Sequence, residues 1–262
     1  MKRAVAFVLM CVMSFAALAA LKSEEVVYRV GDEEFTGYLA WDDAIEGKRP
    51  GVLVVHEWWG HNAYARKRAD MLAGLGYTAF ALDMYGTGKV ADHPDDAKKF
   101  MQAVTANMAV AEKRFDAAKK LLQQQPTVDP DRIAAIGYCF GGGVVLHMAR
   151  TGEDLDGVVS FHGSLATTTP AQKGRVKARV LVFTGAADPF APPETVSAFE
   201  KEMQAAAVDY RLVSYPGVKH SFTNPGADAF AERFGMPLAY DKHADEDSWQ
   251  QTQAFFKEIF KE

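Results

Sequence analysis

The run Ile133-Ala134-Ala135-Ile136-Gly137-Tyr138-Cys139-Phe140-Gly141-Gly142-Gly143 decides the fold. Four apolar residues of buried-strand character lead into Gly137, and a run with helical spacing of apolar residues continues from Gly142 to Arg150. A strand therefore turns sharply into a helix with Cys139 at the apex. A side chain on such a turn has a strained backbone, and only glycines two positions to either side let strand and helix pass that closely. Gly137 and Gly141 supply the room. The turn also aims the helix amino end at the thiol, which favours a thiolate and leaves the Phe140 N–H free to bind an oxyanion. Two blander readings compete. A small Cys can simply pack at a glycine-rich crossover, and glycines after a strand can cradle a phosphate. The phosphate reading fails on spacing, because Leu146 stands where G-x-G-x-x-G needs its last glycine and no Gly-Lys-Ser/Thr follows.

Outward from this turn, short β-branched runs alternate with longer helical ones, which is the signature of an α/β fold. Val26 to Val30 and Phe35 to Leu39 flank Gly31 and Asp32 and predict an antiparallel hairpin. Continuous apolar runs at Gly51 to Val55, Thr78 to Leu82, Ile133 to Ile136 and Val180 to Phe183 predict buried parallel strands. Val158 to Phe161 and Tyr210 to Tyr215 add two more. Helical spacing recurs in Tyr64 to Leu75, Met108 to Leu122, Gly142 to Arg150, Thr195 to Ala206 and Trp249 to Phe260. A mostly parallel central sheet with helices on both faces follows, and Pro225 to Asp247 reads as an irregular excursion near the site mouth.

Lys2 and Arg3 precede an apolar run from Ala4 to Leu18 that ends in Ala17-Leu18-Ala19, the layout of a secretory signal with cleavage near Ala19 or Ala20. The run is shorter than the ~20 residues a membrane-spanning helix needs. Cys11, with Met10 before it, sits mid-run and argues against a lipoprotein. Residues 1–20 are thus expected to be a signal peptide and 21–262 one domain, exported to the periplasm or secreted. Loss of Lys2 and Arg3 takes the formal charge from −5 to −7. That disfavours nucleic acid and anionic lipid, both of which select clustered Lys and Arg. Cys139 becomes the single thiol of the mature chain, and in an oxidising compartment a lone thiol is buried or used.

A nucleophile needs a base and an acid, which follow it in this kind of fold in the order nucleophile, acid, histidine. Asp188, in Thr-Gly-Ala-Ala-Asp-Pro, closes the run Val180 to Phe183 and falls at a strand's carboxyl end. Asp209 is the rival acid but precedes its strand and so lies at the wrong edge. His220 follows Tyr210 to Tyr215 and reaches the same carboxyl edge, whereas His243 sits in the solvated run Asp241 to Asp247. His56-Glu57-Trp58-Trp59-Gly60-His61 invites a zinc reading, but its histidines are five apart across a glycine and not four apart on a helix face. The better reading puts the Trp58 N–H beside that of Phe140 as a second oxyanion donor, with Trp58 and Trp59 walling an apolar pocket; core packing is the alternative for Trp59. No metal or cofactor is expected.

Gly-Tyr-Cys-Phe-Gly-Gly, the later Asp188 and His220, and Val-His-Glu-Trp-Trp-Gly in front resemble the dienelactone hydrolase family, from about Gly31 to the C-terminus. Leu82-Asp83-Met84-Tyr85-Gly86 and His220-Ser221-Phe222 extend the likeness. The resemblance implies an α/β-hydrolase fold, a Cys139–His220–Asp188 triad, and a Glu57 that contacts the resting thiol and controls its ionisation. It places Tyr85 with Trp58 and Phe140 at the substrate. A structural carboxylate is the alternative for Glu57. One departure matters: where the family holds a substrate carboxylate with arginines, this chain has Gly86, Thr87, Gly88 and Lys89 in one place and Thr223 and Asn224 in the other. Hydrolysis of a small-molecule ester or lactone is expected. A non-catalytic exported binding protein on the same fold is the alternative, and a redox role lacks the C-x-x-C pair.

Overall fold

The computed structural model describes residues 21–261, so the expected signal segment lies outside the described residues. The predicted hairpin is β1 (Leu21–Val30) and β2 (Glu33–Asp42), turned through Gly31 at φ 60°. Both strands outrun their apolar pattern, because an antiparallel ladder whose register is set goes on pairing polar residues: Leu21 stands opposite Asp42. Six more strands follow: β3 (Arg49–Val55), β4 (Thr78–Leu82), β5 (Val128–Tyr138), β6 (Gly157–Phe161), β7 (Arg179–Gly185) and β8 (Tyr210–Tyr215). One eight-stranded sheet results, in the order β1-β2-β4-β3-β5-β6-β7-β8. β1 and β2 are antiparallel to their neighbours and every pair from β4 to β8 is parallel. β3, β4 and β6 are buried along their whole length, as their unbroken apolar runs require.

The helices are α1 (Ala63–Ala73), α2 (Pro94–Thr105), α3 (Met108–Gln123), α4 (Phe140–Thr151), α5 (Pro193–Ala205), α6 (Ala227–Phe234) and α7 (Lys242–Phe260). Alternation along each strand splits the core in two. Val52, Val54 and Ile136 pack with Leu72 of α1 and Phe256 of α7. Leu53, Val55 and Ala135 pack on the opposite face with Phe115 of α3, Val145 of α4 and Phe199 of α5.

Three helices depart from the sequence reading. α2 begins at Pro94 behind a His93 ring that accepts the Asp95 N–H, a cap outside the usual Ser, Thr, Asp and Asn set. α6 is eight residues long and occupies the segment read as irregular, and α7 starts at Lys242 because Asp241 caps it by accepting the Ala244 N–H. The segment does lie at the cavity mouth: Ala239 N–H donates to His220 C=O at 3.1 Å, and Met236 and Leu238 face the cavity.

Candidate active site

Cys139 sits between the last residue of β5 and the first of α4 at φ 53°, a conformation costing about 1–3 kcal/mol for a non-glycine residue. The fold holds it there. A Cβ on Gly137 would stand 2.1 Å from Gly141 O and one on Gly141 would stand 2.3 Å from Val55 O, so neither position admits a side chain. Cys139 N–H donates to Phe161 O at 3.0 Å and to His162 Nδ1 at 3.1 Å. Gly141 N–H donates to His56 O at 3.1 Å, which ties α4 to the end of β3. Among the described residues, no acceptor meets the Phe140 or Trp58 N–H. These are the two donors expected for an oxyanion.

The acid and the histidine meet because the loops after β7 and β8 lie against each other. A Cβ on Gly185 would stand 2.2 Å from Val218 O, and Ala187 N–H donates to that same oxygen at 2.9 Å. His220 Nδ1 then donates to Asp188 Oδ2 at 2.7 Å, while Asp188 Oδ1 accepts the Phe190 N–H at 2.8 Å. The other His220 nitrogen is left for the Cys139 thiol, which lines the same cavity and acts on the ring's ionisation. Burial pulls the His220 imidazole down, but negative charge on Cys139 and the hydrogen bonds to Asp188 and Cys139 outweigh it, so the ring is pushed up to about 10. Asp209 pairs instead with Arg179 at 2.8 Å across the starts of β8 and β7, and His243 is exposed on α7.

Glu57 is buried beside this pair. Its carboxylate accepts Asn224 Nδ2 at 2.6 Å and Ser221 Oγ at 3.1 Å. Burial raises its pKa, with Asn224, His220 and Ser221 working against that rise. The resemblance implied a contact with the thiol; the hydrogen bonds of Glu57 run to Ser221 and Asn224, in the loop after His220. Asn224, standing in one of the two arginine places, is thus committed to Glu57.

Sequence reasoning missed the residues behind the elbow. His162, at the carboxyl end of β6 with φ 40°, accepts Cys139 N–H at Nδ1 and faces Thr223 Oγ1 through Nε2 at 2.8 Å. Thr223 Oγ1 also meets Tyr64 OH at 2.7 Å, and Arg68 donates to Tyr64 OH, to Thr223 O and to Asp245. Burial and the positive charges of His220 and Arg68 hold His162 well below its usual value. The one signal for His162 was its place at a strand's carboxyl end.

A cavity of about 700 Å³ opens over Cys139 and His220, walled by Trp58, Phe140, Met108, Val144, Phe190 and Leu238 among others. Two aromatic assignments change. Trp59 is 1 % exposed and stacks on Phe230 at 4.1 Å, so it belongs to the core and Trp58 alone faces the cavity. Tyr85 lies one layer behind, 5.5 Å from the Phe140 ring, and donates its OH to Trp58 O at 3.1 Å; it supports the wall and does not touch what the wall encloses. Lys89, with Tyr85 and Arg114, faces a separate cavity of about 330 Å³. The basic side chains of α4 along the larger cavity are already matched: the Arg150 guanidinium with Glu202 at 2.8 Å and the His147 ring with Glu112 at 2.7 Å.

Comparison with known proteins places the chain among the dienelactone hydrolases. A profile of the dienelactone hydrolase family matches residues 35–260. Protein usf of Aquifex pyrophilus is 32% identical over 214 residues, covering 80% of this chain and 88% of its own. The carboxymethylenebutenolidase homolog of Rattus norvegicus is 27% identical over 195 residues, covering 73% and 77%. The solved structure of the dienelactone hydrolase-like promiscuous phosphotriesterase P91, from metagenomic libraries, is 37% identical, superposes with a TM-score of 0.85, and covers 92% of this chain and 99% of its own. The sheet and its helices are those of an α/β-hydrolase.

Proposed function

The chain belongs to the dienelactone hydrolase family and is an ester or lactone hydrolase, and we propose that its nucleophile is the thiol of Cys139, activated by His220 and Asp188. The observation that carries the proposal is the hydrogen bond that fixes His220 on Asp188 at 2.7 Å, with His220 and Cys139 lining one cavity. In acylation the sulfur attacks the carbonyl carbon, a C–S bond forms, and the oxyanion is held by the Phe140 and Trp58 N–H groups. Collapse breaks the C–O bond, and the proton on His220 goes to the leaving oxygen. His220 then takes a proton from water, whose oxygen attacks the thioester and releases acid and free thiol. Asp188 keeps the imidazole oriented, and Glu57, in its ionised form, favours the imidazolium. A chromogenic ester is the test: Cys139→Ala is expected to abolish turnover while circular dichroism stays unchanged, and near-wild-type turnover in that variant overturns the nucleophile.

The matched state of Arg150 and His147, and the position of Lys89 in the other cavity, support a neutral substrate. A substrate carboxylate would shed water with no matching cation, losing one or two contacts of roughly 1.5–3 kcal/mol each. A neutral ester should therefore exceed the corresponding free acid in kcat/KM by about tenfold or more. Lys89→Ala should leave that preference unchanged. The same neutral cavity suits a phosphotriester as a side substrate, the activity for which P91 is named. Cys139-dependent release of p-nitrophenol from diethyl p-nitrophenyl phosphate tests this. The segment Lys2 to Ala20 supports export to the periplasm or medium, which amino-terminal sequencing of the mature protein would check.

A further inference from the structure

The cavity reaches well past the atoms that react. Phe140, Gly143, Val144, His147 and Arg150 all face it. Their spacings of three and four put them on one stripe of α4, and ten residues of helix span about 15 Å. The cavity is therefore a channel laid along α4 from Cys139 outward.

Gly141, Gly142 and Gly143 differ in what they tolerate. A Cβ on Gly141 would meet Val55 O at 2.3 Å, and one on Gly142 would meet Ser160 Oγ at 2.7 Å and Gly163 Cα at 2.8 Å, so packing excludes both. A Cβ on Gly143 would stand 3.6 Å from its nearest neighbour, Ser164 Cβ, which is an ordinary contact. A glycine inside a helix costs stability relative to alanine. The protein's own packing does not require that cost at Gly143. The channel does, because Gly143 is half-buried on its wall, one turn from the nucleophile.

We propose that Gly143 determines substrate choice, its missing side chain opening the channel to an elongated, uncharged acyl chain. The proposal rests on Cys139 as the nucleophile. His220 must reach the leaving oxygen, so the alcohol part lies at the His220 end, beside Phe190 and Leu238. The acyl part extends the other way, past Gly143 and Val144. Each methylene taken from water into such a channel is worth about fourfold in binding.

The test measures kcat and KM for p-nitrophenyl acetate, butyrate and octanoate in wild type, Gly143→Ala and Gly143→Leu. Wild-type kcat/KM is expected to rise about tenfold or more from acetate to octanoate. Gly143→Leu should keep acetate within about threefold of wild type and lose about tenfold or more on octanoate, chiefly through KM. Gly143→Ala should melt no lower than wild type and show a smaller loss in the same direction, which carries the test if the leucine variant does not fold. Equal loss on acetate and octanoate, or a wild-type preference for acetate, overturns the channel. Cys139-dependent acetate hydrolysis with no effect of chain length also overturns it while leaving the nucleophile in place. Absence of Cys139-dependent turnover on every ester overturns the nucleophile itself.

Discussion

The turn after β6 and the loop after β8 bring together two histidines whose pKa values are displaced in opposite directions. The rings of His162 and His220 lie 5.1 Å apart and both are buried. Yet His162 is held well below its usual pKa and His220 is pushed up to about 10. Burial acts on both in the same direction, so it does not explain the contrast. Partners do. His220 has the Asp188 carboxylate on one nitrogen and feels negative charge from Cys139, whereas His162 has a backbone N–H and a Thr223 hydroxyl. His162 Nδ1 accepts a hydrogen bond from the Cys139 amide and must stay unprotonated. An imidazole is a base here or a structural acceptor according to what its two nitrogens meet.

The most severe way to break the contrast is to remove the sulfur. Cys139→Ala is expected to abolish turnover and also to take away the foremost of the groups that raise His220. NMR titration of the ring should find its pKa well below 10, closer to the behaviour of His162. Cys139→Ser should remain far slower than wild type, because a hydroxyl is a much weaker acid than a thiol of pKa ~8.5.

Asp188→Asn comes next, with an expected loss on the order of 10²–10⁴ in kcat/KM, the usual range for a general acid–base group. The fall of rate at high pH should move down in the same variant. In wild type that fall is expected near pH 10, where the imidazolium loses the proton it gives the leaving group. Stability should follow the same sign. The folded-state pKa of His220 is raised above its ordinary ~6.5, so its contribution is complete below about pH 6.5 and fades as pH climbs through about 10. Urea unfolding at pH 6, 8 and 10 measures it, and a midpoint that rises with pH over that range would contradict the assignment.

His162→Phe keeps the ring and removes its nitrogens. Cys139 N–H retains Phe161 O, while the Thr223 hydroxyl keeps Tyr64 and loses its second partner, so the expected cost is about 1–3 kcal/mol of stability. Activity should fall less than in Asp188→Asn. An unchanged urea midpoint would show that the histidine does not support the elbow. Glu57→Gln should have the smallest effect: without the buried charge the high-pH limb moves down by less than about one unit, and the pH profile of kcat/KM reports it.

Legibility in the sequence followed distance along the chain. The elbow could be read because both glycines lie within five residues of each other: Gly137 clears Gly141 O locally, while what Gly141 clears, Val55 O, is supplied by β3. The strands could be read because burial on both faces makes unbroken apolar runs. α2 was missed because its cap is a histidine, and α6 because two turns of helix carry too little periodicity to stand out. The chain from His162 through Thr223 and Tyr64 to Arg68 was invisible because its members lie 61, 159 and 4 positions apart.

By itself the sequence determined the α/β alternation, the elbow with Cys139 at its tip, and the order in which Asp188 and His220 follow. Each depends on local sterics or on which end of a strand a residue occupies. The tertiary structure alone decided which neighbours look into the cavity. Trp58 faces it and Trp59 the core, Tyr85 stands behind it and Lys89 faces another, and Glu57 meets Asn224 while the thiol meets His220. Those choices follow from how loops at the ends of separate strands pack together, and a side chain's partner there comes from a remote part of the chain.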